Sequence, residues 1–215
     1  MSSSGTPTRI HLVRHGAVAE PWNERIYGDL DVPLSDLGEQ QSRALAHGLQ
    51  DRRFATVLSS GLARSAYLAE LVAQQSGLEA GVDERFRELN RGDWAGWGRD
   101  QVEAAVPGAW EQFWAQGGVF PVPGGETLVA LQARVGRALE DLAREFEGRE
   151  SLVVAHKWVL RAAICPVLGL SMKHSRQLHV PYVGTATLER EPGAGWRLAH
   201  LSWEALGGWA LGSEV

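Results

Sequence analysis

Short apolar runs alternate along the chain with longer stretches of helical spacing, and this alternation sets the first expectation of the fold. Residues 9–13 (RIHLV) are strand formers and predict a buried strand that ends in Arg14, His15 and Gly16. Residues 34–50 begin with Ser35 at an N-cap position, carry Glu39 in the first turn and place Leu45 and Leu49 one turn apart, which predicts a helix. A second strand follows at 54–60 (FATVLSS) and ends in two hydroxyls; a second helix at 61–77 is closed by Gly77. Residues 78–89 read as a short third strand and a turn. Further on, 126–148 carry Leu128, Leu131, Val135, Leu139 and Leu142 along one stripe, the pattern of a long amphipathic helix. Residues 151–156 (SLVVAH) form a near-continuous apolar strand ending in His156. The helix after it, 157–170, is expected to be kinked or shortened by Pro166. Two alternating segments, 185–191 and 196–204, flank PGAG and predict a closing hairpin.

Strands alternating with helices predict an α/β protein, a three-layer α/β/α sandwich around a mostly parallel sheet. Such sheets receive ligands at the carboxyl ends of their strands. Residues 90–125 break the pattern. They hold Trp94, Trp97, Trp110 and Trp114, many glycines, and PVPGG at their end. They predict an insertion of short helices and loop over the active site, lid-like, within a single domain spanning 1–215. Its tryptophans are expected mainly to pack the insertion, with one left to face substrate. The last residues, 207–215, are expected to be loosely ordered.

Length and charge narrow the classes. A chain of 215 residues suits one sizeable domain. Its net charge of -5 argues against a nucleic-acid partner, which usually needs a basic footprint. No apolar run approaches a membrane span, and the opening MSSSGTPTR has no apolar secretory core. With Cys165 as the only cysteine, a cytoplasmic location is expected. Lysine occurs only at Lys157 and Lys173, so nearly all cations are arginine, the better forked partner for phosphate. Oligomeric state is left open, a homodimer included.

Three strands end at residues with chemistry: Arg14–His15, Ser59–Ser60 with Arg64 just beyond, and His156. Arg14 and Arg64 can neutralise a phosphate and present forked donors. A neutral histidine beside them can attack phosphorus, and a second can hold a phosphoryl oxygen as charge builds. A carboxylic acid must then protonate the leaving alkoxide. Glu88, in FRELNRGDWAGW, is the candidate, expected on the rim of the cleft. Taken singly, His15 reads as a turn histidine, His156 as a satisfied strand-end histidine, Arg14 as a structural ion pair and Arg64 as a solvated helix cation; convergence favours the site. Ser59 and Ser60 read as caps of the next helix. Lys157 reads equally as an exposed helix-start lysine or as a binder of anion. Metal chemistry is not expected: His11 and His15 on one strand lie ~13 Å apart, and one cysteine builds no thiolate site. Neither a P-loop nor a Gly-x-Ser-x-Gly elbow occurs.

The ordered set LVRHG, DVPLSDLGEQQ, LSSGLARSAYLAE, RELNRGDWAGW, PGGETL and VVAHKWVLRAAI resembles the histidine phosphatase superfamily, also called phosphoglycerate-mutase-like, across roughly residues 9–168. The resemblance implies His15 as the nucleophile that becomes phosphohistidine, Arg14 and Arg64 as phosphate ligands, His156 as the second pocket histidine and Glu88 as proton donor and later base. Asn23 resembles the asparagine that often follows the first motif, at a spacing two residues longer. Family members often have glutamate where Ala17 stands and two glycines where Lys157–Trp158 stand. Lys157 would either narrow the pocket or bind a second anionic group. The implied activity is hydrolysis of a small phosphorylated substrate with neither metal nor cofactor. Its rivals are a mutase, which returns the phosphoryl group to a sugar acid, and a phosphate-binding scaffold without turnover.

Overall fold

A computed structural model describes residues 5–116, 119–120 and 122–202. The strands are β1 (Thr8–Arg14), β2 (Thr56–Ser59), β3 (Ala80–Val82), β4 (Glu150–Ala155), β5 (Thr185–Arg190) and β6 (Trp196–Ser202). The helices are α1 (Asp36–Gly48), α2 (Ala63–Gln75), α3 (Arg99–Ala105), α4 (Ala109–Ala115), α5 (Leu128–Glu145) and α6 (Lys157–Val167). The strands form one sheet in the order β3-β2-β4-β1-β5-β6. The first four in that order are parallel, while β5 runs antiparallel to β1 and β6 antiparallel to β5. The predicted three-layer α/β sandwich with a mostly parallel sheet is therefore the fold observed.

The central strand β4 is apolar from Leu152 to Ala155 because both faces of the sheet are covered. Along β4, Leu152 and Val154 join Val13, Val57 and the α2 residues Leu68 and Val72. Val153 and Ala155 join Ile10, Leu12 and the inner stripes of α5 and α6. The pleat thus divides one strand between two cores. The cap read from sequence at Ser35 is in place, accepting the Gly38 N–H; at the start of α5, Thr127 accepts the Ala130 N–H. The helix α6 ends at Val167, one residue after Pro166 and short of residue 170. A 3-10 turn at Met172–Gln177 follows, which the apolar pattern did not reveal. Residues 203–204 of the expected last strand, and the expected loose tail 207–215, lie outside the described residues. Among the described residues no helix is long and apolar enough to cross a membrane.

The insertion is closed at its base. Asp93 donates its N–H to the Pro123 carbonyl and Glu126 its N–H to the Asn90 carbonyl, each at 2.9 Å. At Gly92 a Cβ would come within 2.1 Å of the Pro123 oxygen, so the closure requires glycine. Beyond it, Trp94 packs with Trp110 and Phe120 at centroid distances of 5.2 and 5.6 Å. Trp114 stacks on Trp158 of α6 at 5.7 Å. Three of the four tryptophans thus pack, and Trp97 is the exposed one.

Candidate active site

The parallel pairing of β1 with β4 sets Arg14 beside Ala155, so the residue after each strand, His15 and His156, emerges at the same edge. His15 donates its N–H to the Ala155 carbonyl, and the two imidazole centroids lie 5.1 Å apart. The neighbouring β2 brings Ser60, also one residue past its strand, to the same edge. The turn that carries His15 is docked on the start of α1. A Cβ on Gly16 would meet the Gly38 oxygen at 2.2 Å, and one on Gly38 would meet the Ala17 oxygen at 1.9 Å. The Ser35 N–H bonds the Ala17 carbonyl, and the Ala17 N–H is held by the Gln41 side chain.

The hydrogen bonds fix the state of each ring. His15 Nδ1 lies 2.7 Å from the Gly16 carbonyl, which can only accept, so Nδ1 carries the proton and Nε2 keeps its lone pair. Burial, followed by the charges of Arg64 and Arg14, holds the His15 pKa well below the usual histidine value. His156 is depressed likewise, first by burial, then by Arg64, His15 and Arg14. Ser65 Oγ spends its proton on the Leu62 carbonyl, so Ser60 Oγ donates to Ser65 and accepts from His156 Nε2 at 2.7 Å. His156 Nδ1 is then a buried acceptor without a hydrogen-bond partner.

The arginines are fixed by main chain. Arg64, in the first turn of α2, donates NH1 to the Leu30 carbonyl and NH2 to the Gly28 carbonyl, leaving its buried Nε unengaged. Arg14 donates NH1 to the Val180 carbonyl at 2.6 Å and lies 3.8 Å from the Tyr182 ring centroid. Tyr27 sits 5.1 Å from the Arg64 guanidinium. Tyr182 and Tyr27 are half-buried and border the pocket; nothing local in the sequence marked either one. Tyr182 is held by the turn 181–184, where Val183 adopts φ +52°, a left-handed conformation that a β-branched residue rarely takes.

Glu88 departs from the rim position expected of it. It is only 6% exposed. Its carboxylate accepts the Leu89 N–H at 2.9 Å and the Trp158 N–H at 3.2 Å, which seats it on the positive end of α6, directly after His156. A cavity of about 310 Å³ adjoins it, lined also by Asp29, Arg87, Asn90, Glu126 and Arg134; neither histidine lines it. Lys157, the first residue of α6, is half-buried, and its charge acts on His15. The structure therefore brings together Arg14, His15, Arg64, Glu88, His156 and Lys157. It leaves Asn23 exposed on the turn Trp22–Glu24, with no hydrogen bond among the described residues to the histidine pair.

The cap reading of Ser60 is corrected. Ser60 does accept the Leu62 N–H, but its short bond goes to His156. The start of α2 is capped instead by Asp31, whose Oδ1 accepts the Ala63 N–H at 2.8 Å from another loop. A distant carboxylate took over the cap and freed the serine for the ring. Ser59 keeps a local role, accepting the Gly61 N–H.

Known proteins share this sequence pattern and fold. The family model described as histidine phosphatase superfamily (branch 1) matches residues 10–204. A protein of Shigella boydii serotype 18 named probable phosphoglycerate mutase GpmB is 30% identical over 184 residues, 80% of each chain. The solved structure of a mycobacterial glucosyl-3-phosphoglycerate phosphatase superposes with a TM-score of 0.78 at 29% identity, covering 90% of this chain and 97% of that one. Bacillus stearothermophilus YhfR superposes with a TM-score of 0.82 at 26% identity, covering 89% and 95%.

Proposed function

The chain belongs to the histidine phosphatase superfamily, branch 1, and from that premise we propose that it hydrolyses a small phosphomonoester through a phosphohistidine at His15. The observation that carries this reading is the committed tautomer. With Nδ1 bonded to Gly16 and the ring neutral, Nε2 holds an available lone pair beside two arginines. Nε2 attacks phosphorus as the bond to the alcohol oxygen breaks. Glu88, in its acid form, gives the departing oxygen a proton. Glu88 then takes a proton from water, whose oxygen attacks the phosphohistidine; the P–N bond breaks, phosphate leaves and His15 is restored.

Arg14 and Arg64 supply donors to the phosphoryl oxygens, and the unengaged Nε of Arg64 is one of them. His156 Nδ1, a bare acceptor, can meet a phosphoryl oxygen only across a proton, brought by a monoanionic ester or by protonation of the ring as the anion enters. Lys157 adds positive charge at the border of the pocket. Structures of the mycobacterial phosphatase in complex with inorganic phosphate and with VO3 support a phosphate-sized site in this fold.

A second reading, mutase-type phosphoryl transfer, is favoured by the name of the curated relative. Release of p-nitrophenol from p-nitrophenyl phosphate, without bisphosphoglycerate priming, separates the two. Turnover is expected in the unprimed protein, with a loss of about 10³-fold or more in His15→Ala. Equal turnover by the two proteins would rule out His15 as nucleophile.

A further inference from the structure

Among the described residues, Arg91 is the one buried cation that the mechanism leaves without work. It is 8% exposed, and its NH1 has no hydrogen-bond partner. Its guanidinium lies 5.4 Å from the Phe113 ring and 5.1 Å from the Trp158 ring. Among the described residues it forms no ion pair: it feels the attraction of Glu88 and the repulsion of Arg161, which lies 5.0 Å from the same indole. Burial draws its pKa down to about 10, so it remains charged at neutral pH. A buried charge with an unmatched donor costs stability, and an apolar residue of similar length would pack against the same rings. The rings alone therefore do not account for an arginine here.

Its position explains more. Gly28, whose carbonyl anchors Arg64, touches the Arg91 side chain: a Cβ there would come within 2.7 Å of Arg91 Cγ. On its other side, Trp158 carries the N–H that holds Glu88. Arg91 is thus lodged between the anchor of a phosphate arginine and the seat of the proton donor. A proton donor faces the leaving oxygen, so what adjoins it beyond the phosphoryl pocket meets the alcohol half of the ester. Lys157 lies at the same helix start, next to Trp158. We propose that Arg91 and Lys157 form a subsite for a second anionic group, carboxylate or phosphate, carried on the alcohol half of the substrate.

This subsite rests on the phosphatase reading but is tested apart from it by binding. Glycerol 3-phosphate and 3-phosphoglycerate differ by a single carboxylate, and 1,3-propanediol bisphosphate offers a phosphate instead. Calorimetric affinities of the three are measured on His15→Ala, which cannot turn them over, and on the same protein with Arg91→Met or Lys157→Met. At least one of the two probes with a second anionic group is expected to bind tenfold or more tighter than glycerol 3-phosphate; which one does so identifies the group. Either second substitution is expected to shrink that preference at least fivefold. Equal binding of all three probes overturns the proposal, as does a preference unchanged in both variants. Arg91→Met is also expected to melt no lower than its parent, since it removes an unmatched buried charge. Should it fail to fold, Lys157→Met at the half-buried helix start decides the matter. Loss of p-nitrophenyl phosphate turnover in the unmodified protein would sink the reaction and leave these affinities to judge the subsite.

Discussion

At the phosphoryl end, both terminal nitrogens of Arg64 rest on main-chain carbonyls and its Nε is left for the anion, whereas at the Trp158 end a terminal nitrogen of Arg91 is itself buried with no hydrogen-bond partner. The first region stands on three strand ends in fixed register and is reinforced by Ser60 and Gly16. The second is assembled from an insertion, one helix start and a set of rings. Strand ends hold atoms to the small tolerance that in-line attack demands. An insertion can be rebuilt without disturbing them, and so it suits the choice of substrate. Glu88 belongs to both, since its carboxylate is held by α6 while its charge reaches Arg64 and Arg91.

The sharpest test of the division is at that shared residue. Glu88→Gln is expected to lower kcat by about 10²–10⁴-fold, and by more for alkyl esters than for p-nitrophenyl phosphate, whose leaving group scarcely needs a proton. Equal losses on both would remove Glu88 from the acid role. Within the phosphoryl end, Ser60→Ala strips the partner from a buried imidazole N–H. A loss of about 1–3 kcal/mol in urea unfolding is expected, with kcat falling more than KM rises. An unchanged midpoint would show that His156 is held by packing alone.

A smaller effect separates the two ends by pH. His15 and His156 have folded pKa values below their unfolded ones, so the unfolded chain binds more protons once pH drops under ~6.5. Stability is complete above that value and is lost as pH falls toward the folded values. Melting temperature is therefore expected to decline from pH 7.5 to 5.5, and to decline less in His156→Gln. Arg91 titrates far above this window and leaves the acid slope untouched. The smallest effect concerns the turn that holds Tyr182. Val183→Gly relieves a left-handed valine, a gain of about 1 kcal/mol, but empties a side chain buried against Val13 and Val154, a loss of about 2 kcal/mol; urea unfolding is expected to show a net loss of about 1 kcal/mol. A gain of stability there would mean that the backbone strain outweighs the packing.

The strand ends were legible in the sequence because apolar runs that stop at Arg14–His15, at Ser59–Ser60 and at His156 converge, although each taken singly has an ordinary structural reading. A helix start was legible where the cap is local, as at Ser35. The readings failed where a partner arrives from elsewhere in the chain. Ser60 looked like a cap because the competing carboxylate, Asp31, is 32 residues away from the helix start it serves. Glu88 looked like a rim residue because nothing nearby in sequence shows that the Trp158 N–H, 70 residues on, will bury it. Tyr182 and Tyr27 gave no signal: each is defined by the arginine it meets across the fold. Arg91 passed as one polar residue in a glycine-rich stretch, and only burial sets it apart.

The backbone contact between Gly16 and Gly38 leaves no room for a side chain on either residue. The nucleophile turn and the first turn of α1 are in effect one machined part made from two stretches of chain. A designer who grafts Arg-His-Gly onto a foreign scaffold would have to carry residues 35–41 with it. Without them the transplanted imidazole would keep its identity and lose its aim.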